Sequence, residues 1–231
     1  MLKVDLHIHT ADDPVDRIPY STCDLIDRAA ALGYDAVAIT LHNRQLDVRP
    51  LASYAADRGL VLIPGLEKTI DGRHVLLLNF PPCVEDVRSF EEVARLKRSR
   101  GGFVIAPHPF FPGPSLRGRL TRHAALFDAV EYNAMYTASL NFNRAAERWA
   151  RAHGRPVVGN GDVHRLEQLG TTCSLVDAER DPEAICAAIA AGRVRLVTRP
   201  LAWPAAARIT AGILAAGLLG PHSPQPAAAS V

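Results

Sequence analysis

Two imidazoles, His7 and His9, flank a single isoleucine in the stretch Asp5-Leu6-His7-Ile8-His9-Thr10. Residues i and i+2 of a β-strand share a face, so both rings can converge on one point. Imidazole is a common ligand for zinc, iron and manganese. One His-x-His pair is weak evidence alone, but donors of the same kind recur along the chain. His42, Glu67, His108, Asp162 and His164 each fall at the end of a short apolar run, and His74 opens such a run close to Glu67. Nitrogen and carboxylate donors together suit zinc, iron or manganese ions, and these eight residues exceed what one tetrahedral ion takes. They predict two or three divalent transition-metal ions, bridged by Glu67 or Asp162. Ions held in that way lower the pKa of bound water and hold the oxygens of a phosphoryl group.

Such donors meet only if the runs that carry them lie side by side. Strands are expected at Leu2–Ile8, Asp35–Thr40, Leu60–Pro64, His74–Leu78, Phe103–Ala106, Ala129–Tyr132, Pro156–Val158 and Val194–Val197. Helices are expected from Ser21 or Thr22 to Leu32, from Pro50 to Arg58, from Ser89 to Arg100, from Asn141 to His153 and from Asp181 to Ala191. Ser21 and Ser89 are capping residues, and Gly33, Gly59, Gly101 and Gly154 are stops. Asp71-Gly72 reads as a hairpin turn. Apolar strand, polar ending and helix alternate, which argues for parallel strands with crossover helices and for ligands at the C-terminal strand ends.

The bulk composition fits that class. The chain has 231 residues, 48% hydrophobic and 22% charged, with a net charge of +2. This balance is too mild to argue for a dedicated nucleic-acid surface, and with an aromatic content of 6% it argues against a long stacking groove. The four cysteines, Cys23, Cys83, Cys173 and Cys186, form no C-x-x-C. They read as reduced, mostly buried thiols of a cytoplasmic protein, and no signal peptide is evident.

The motifs, taken together, resemble those of the PHP family, named for its polymerase and histidinol phosphatase members. Asp-Leu-His-x-His-Thr at residues 5–10 is similar to that family's opening motif. Ala38-Ile39-Thr40-Leu41-His42-Asn43 looks like its second motif, and Pro64-Gly65-Leu66-Glu67 with His74 looks like its third. Ala106-Pro107-His108-Pro109 and Gly161-Asp162-Val163-His164 resemble its later ones, in the family's order. The resemblance implies a distorted seven-stranded β/α barrel, TIM-barrel-like, within residues 1–200. It also implies a multinuclear metal site with His7, His9, His42, Glu67, His74, His108, Asp162 and His164 as ligands, and hydrolysis of phosphoesters. Two positions depart from the pattern. Leu41 stands where the family usually has an acidic residue that would contact His42. Pro14 occupies the place of a further ligand, leaving Asp13 as a candidate and Asp12 as a turn or cap residue.

Substrate contacts are sought among cations near the strand ends: Arg44, Lys68, Arg117, Arg119 and Arg165, the last directly following His164. Glu131 and Asn133 end a strand and could orient ligands or substrate, whereas His123 and His153 read as surface residues on helices. Residues 201–220 are expected to form a C-terminal helix that packs on the barrel or on a partner, its apolar stretch, residues 209–219, being too short to span a bilayer. Residues 221–231, with His222, read as a disordered tail. The expected function is a metal-dependent phosphoesterase acting through metal-bound hydroxide on a small phosphorylated substrate, a phosphomonoester or a nucleotide. Two alternatives are a nuclease on short or single-stranded nucleic acid and a non-catalytic, metal-stabilised binding module.

Overall fold

Strands β1 (Leu2–Ile8), β2 (Ala36–His42) and β3 (Val61–Ile70) pair in parallel, and the chain between them rises through helices α1 (Thr22–Ala31) and α2 (Ala52–Ala56). In this computed structural model residues 1–218 are described. Every residue of β2 is buried, as expected of a strand covered on both faces. Helix α1 starts at a reciprocal cap. Ser21 Oγ accepts from the Asp24 amide at 3.1 Å and the Asp24 carboxylate accepts from the Ser21 amide at 2.9 Å.

Strand β4 (Arg73–Leu78) returns antiparallel to β3 through Asp71-Gly72, both of which have positive φ (49° and 69°), as a tight hairpin turn demands. Helix α3 (Phe90–Arg100), capped by Ser89, then leads to β5 (Phe103–Ala106), antiparallel to β4. Short α4 (Gly118–Arg122) precedes β6 (Ala129–Asn133), α5 (Asn143–Ala152) and β7 (Val157–Asn160), and β5, β6 and β7 pair in parallel. The chain ends with β8 (Thr172–Val176), α6 (Pro182–Ala190), β9 (Val194–Thr198) and α7 (Trp203–Leu218).

All strands belong to one sheet in the order β7-β6-β5-β4-β3-β2-β1-β8-β9, curled into a nearly closed barrel. It has nine strands where the family resemblance implies seven. The unforeseen strand is β8, Thr-Cys-Ser-Leu-Val, whose small polar residues give no apolar run. It is a strand because β1 supplies an open edge: Leu2, Lys3 and Val4 pair antiparallel with Val176, Leu175 and Ser174. Helix α2 is also shorter than expected, since Arg49–Leu51 forms a separate 3-10 turn.

The seam between β7 and β1 is closed mainly by side chains. Asn160 Oδ1 accepts the Leu6 amide at 3.1 Å, and the Asp5 carboxylate accepts the Gly161 amide at 2.9 Å. Beyond the end of β7, Val163 N donates to His7 O and His9 N to Val163 O. The Gly159 amide of β7 also donates to Ser174 Oγ of β8 at 2.8 Å. Leu6, Ala38, Ile63, Leu76, Ile105 and Val158 pack together in the core. Residues 219–231, including His222 and the whole expected tail, lie outside the described residues.

Candidate metal centre

The register of the sheet sets His42 opposite Glu67 across the parallel β2–β3 pair. The hairpin that follows sets Thr69 opposite His74, so Glu67 and His74 are diagonal neighbours on one face. His7 lies on β1, His108 two residues beyond β5, and Asp162 and His164 beyond β7. His108 (φ 28°) and Asp162 (φ 48°) have positive φ without being glycine, a backbone state that the surrounding structure must hold at a cost of about 1–3 kcal/mol each.

Glu67 is the hub. Its Oε1 is 3.4 Å from His7 Nε2, 2.7 Å from His74 Nδ1 and 3.1 Å from His108 Nε2. Its Oε2 is 3.0 Å from His42 Nε2 and 3.5 Å from His9 Nε2. Asp162 Oδ1 lies 3.4 Å from His7 Nε2 and 3.8 Å from His9 Nε2. His164 Nε2 lies 3.0 Å from Asp16 Oδ2, which is also 3.8 Å from His42 Nδ1. The eight residues singled out in the sequence therefore form one connected cluster.

The outer atoms of the rings are fixed by a further layer. Glu131, fully buried, places Oε2 2.8 Å from His7 Nδ1, while its Oε1 accepts from the His108 amide and from Asn133 Nδ2. Asn133 Nδ2 also reaches Asp162 Oδ2 at 3.0 Å. Asp13 Oδ2 stands between two rings, 2.8 Å from His9 Nδ1 and 3.0 Å from His42 Nδ1, and accepts the His42 amide. Asp13 thus makes the contact that Leu41 cannot; Leu41 is a fully buried core residue.

Two atoms test whether a cation fits. Nε2 of His7 and Nε2 of His9 are buried with no hydrogen-bond partner among the described residues. Two donors about 2.1 Å from a tetrahedral ion stand roughly 3.4 Å apart. The separations of His7 and His9 Nε2 from Glu67 and Asp162 match that spacing, so the donor set fits a divalent transition ion.

The charge balance agrees. Burial would raise the pKa of Glu67, but His7, His74, His42 and His108 around it hold its carboxyl well below the usual range. Burial works against protonation of His7, yet Asp162, Glu131 and Glu67 hold its pKa well above normal. His42 is likewise opposed by burial and pushed up to about 11 by Glu67 and Asp13. His9 goes the other way, to about 4, through burial and the neighbouring His164 and His42. The carboxylates thus draw positive charge into the pocket.

Comparisons with known proteins place this geometry. Residues 141–194 match the family model described as PHP-associated. A two-domain protein from Bacteroides vulgatus, containing a predicted PHP-like metal-dependent phosphoesterase, superposes with a TM-score of 0.66 at 19% identity, over 92% of this chain and 69% of that one. The chain carries the PHP fold. PsfC from Pseudomonas syringae superposes with a TM-score of 0.70 at 16% identity, over 94% of this chain and 98% of PsfC. The lesion-specific endonuclease PfuEndoQ from Pyrococcus furiosus superposes with a TM-score of 0.59 at 15% identity, over 90% of this chain and 66% of that one. No curated protein matches.

Sequence reading missed Asp16, one turn beyond Asp13, and Asn160; the acidic run Asp12-Asp13-Pro14-Val15-Asp16 was the available signal for the first. Asp12 holds Thr22 at the start of α1, as a turn residue would. The cationic candidates are otherwise engaged. Arg44 reaches Asp12 O at 3.4 Å, Lys68 donates to Glu85 O, and Arg119 pairs with Asp71. Arg117 is exposed, with Nε 3.3 Å from Ser115 Oγ. Arg165 donates to the carbonyl of Gly212 in α7 at 2.8 Å. His123 stacks on Phe90 and His153 on Trp149, away from the cluster. All four cysteines are free thiols; two of them, Cys173 and Cys186, are buried. Among the described residues no helix is long and apolar enough to cross a membrane.

Proposed function

We propose that this chain is a metal-dependent phosphoesterase that hydrolyses a small phosphorylated substrate, a phosphomonoester or nucleotide, with two or three zinc, manganese or iron ions. The observation that carries the reading is Glu67. Each of its oxygens faces a different set of imidazoles, as a carboxylate shared between ions does, and the unpartnered His7 and His9 Nε2 atoms lie beside it. His7, His9 and Asp162 would hold one ion, and Glu67 with His42 and His74, or with His7 and His108, a second. His9, Asp13 and His42 would make a third corner, with His164 beside it through Asp16. Bound ions of this kind supply a water acidic enough to react near neutral pH and a positive field for the phosphoryl oxygens.

The chain's own residues do the rest. Glu131 and Asp13 fix the rings, so that little reorganisation accompanies substrate binding. Asn133 orients Asp162. Burial of His7, His9 and Glu67 keeps bulk water from the inner side of the pocket and strengthens every charge interaction there. The outer side remains open at His74, His108, Asp162 and His164, whose side chains are 15%, 11%, 19% and 14% exposed.

Elemental analysis of the purified protein, with hydrolysis of mononucleotides, nucleoside bisphosphates, sugar phosphates and oligonucleotides under added manganese, tests the reading. Bound transition metal and turnover of phosphomonoesters, both lost on chelation, are expected. Turnover of oligonucleotides alone would replace it with a nuclease. Metal content without turnover of any phosphoester would replace it with a binding module.

A further inference from the structure

The net charge of +2 hides an uneven distribution. Phe90 to Arg155, the stretch that carries α3, α4 and α5, holds eleven lysines and arginines against five aspartates and glutamates, and the rest of the chain is net acidic. The three helices share one apolar cluster, which includes Val93, Leu120, Leu126 and Trp149. Helix α4 and the 3-10 turn after it, Ala124–Leu126, lie between the other two. On one side Lys97 Nζ donates to Leu126 O at 2.9 Å. On the other, Trp149 Nε1 donates to Thr121 Oγ1 at 3.0 Å and Arg155 Nη2 to Ala124 O at 3.3 Å.

This packing leaves the arginines outside. Arg144, Arg148 and Arg151 recur at helical spacing along α5 and are exposed, while Asn143, Ala146, Trp149 and Ala150 are buried. Arg98 on α3 and Arg122 on α4 are exposed as well. None of these five pairs with a carboxylate or donates a side-chain hydrogen bond among the described residues, whereas Lys97 pairs with Asp128 and Arg119 with Asp71. Between α3 and α4 runs a groove of about 590 Å³, whose lining includes Phe90, Ala94, Arg98, Arg122, His123 and Leu126. The His123 ring lies on Phe90, with 4.4 Å between centroids and 15° between planes. Glu91 is the one carboxylate in the lining, and none of the eight cluster residues belongs to it.

We infer that the α3–α4–α5 face docks single-stranded nucleic acid, separately from the metal cluster: the groove takes one base and the flanking arginines take phosphates. Ten of the eleven cations are arginines, whose planar forks bind phosphate oxygens in pairs. The stacked Phe90 and His123 rings give an unstacked base a planar surface, and one such pair suits one base, not a run of them. A lipid surface would call for large apolar side chains to insert. Among the described residues, no exposed large apolar side chain lies on α3, α4 or α5. The inference does not rest on the phosphoesterase reading.

The test uses the full chain with chelator present, so that turnover does not intrude. Fluorescence anisotropy of a labelled single-stranded DNA of about twenty nucleotides is followed from about 50 to about 200 mM salt. The unaltered chain is expected to lose about 100-fold in affinity over that range, as about five phosphate contacts with a slope of about 0.7 each require. Arg98→Gln with Arg122→Gln and Arg148→Gln takes one cation from each helix. It should bind about tenfold or more weakly at the lowest salt and flatten the slope by about 2. Arg28→Gln with Arg49→Gln and Arg58→Gln removes the same charge from the α1 and α2 side and should change affinity less than about threefold. His123→Ala should weaken binding about fivefold at every salt concentration and leave the slope alone, because stacking releases no counterion. Absence of binding at the lowest salt, equal losses in the two triple variants, or a His123→Ala variant that binds like the unaltered chain would each overturn the inference. So would binding to phosphatidylserine vesicles with none to the oligonucleotide, which would make the face a membrane contact. None of these outcomes bears on phosphomonoester turnover by the metal-loaded chain.

Discussion

Glu131 never approaches the centre of the cluster, yet it sets the His7 ring, the His108 amide and, through Asn133, the Asp162 carboxylate. Glu131→Gln keeps the shape and removes the charge that holds His7 in one tautomer. Metal affinity and activity should each fall about 10- to 100-fold, read by metal titration and by kcat with the metal in excess. Glu67→Gln should cost more than Glu131→Gln, because it strikes the hub itself. The imidazoles also differ in what they must give up. His42, at about 11 in the absence of ions, is protonated at neutral pH, whereas His9, at about 4, is already neutral. The protonated His42 stabilises the ion-free fold below its unfolded pKa near 6.5, and that contribution is lost as pH rises through about 11. A divalent ion needs the neutral ring, so binding should release protons and tighten as pH rises from about 6 to 9. Calorimetry in buffers of different ionisation enthalpy reads the proton count, and the His42→Ala variant should release fewer. Release independent of His42 would contradict this.

At the scale of elements, the parts legible in the sequence were those whose signal is local. Ser21, Gly33 and the Asp71-Gly72 turn mark their ends because capping and positive φ depend on one or two residues. The imidazoles and carboxylates were legible because such donors rarely recur at apolar run ends without purpose. Strand β8 was not, because it is a strand only by pairing with β1 and β9, a long-range circumstance that Thr172, Cys173 and Ser174 do not encode. Asp16 was hidden for a similar reason: a carboxylate in a turn reads as a turn residue until the ring it touches, His164, is brought to it. The seam gives a prediction at this scale. A Cβ on Gly159 would stand 2.5 Å from Leu196 and 2.7 Å from Cys173 O, a backbone atom that cannot step aside. Gly159→Ala should destabilise the fold by about 1–3 kcal/mol, checked by urea unfolding. An unchanged midpoint would mean that β7 does not run as closely past β8 and β9 as described.

For the whole molecule, a cluster drawing on β1, β2, β3, β4 and the segments after β5 and β7 ties most of the barrel to one point. Ions binding only the folded form should therefore raise its stability by about 2.7 kcal/mol at a free concentration one hundred times Kd. For a chain of this size that is a rise in melting temperature of about 5–10 °C, reversed by chelation. A melting temperature indifferent to manganese, zinc and iron would argue that the donors do not act together. The same arrangement bears on how the chain is made. Leu6 and its seam partner Asn160 are 154 residues apart. At translation rates of about 5–20 residues per second, the His-x-His pair leaves the ribosome roughly 8–30 s before Asp162 and His164. For that interval it is a bare chelator, open to whichever ion binds histidine most avidly, with copper foremost. Correct loading thus depends on when the last strands arrive as well as on which ion is preferred, and slowing synthesis in copper-rich cells should increase mismetallated product.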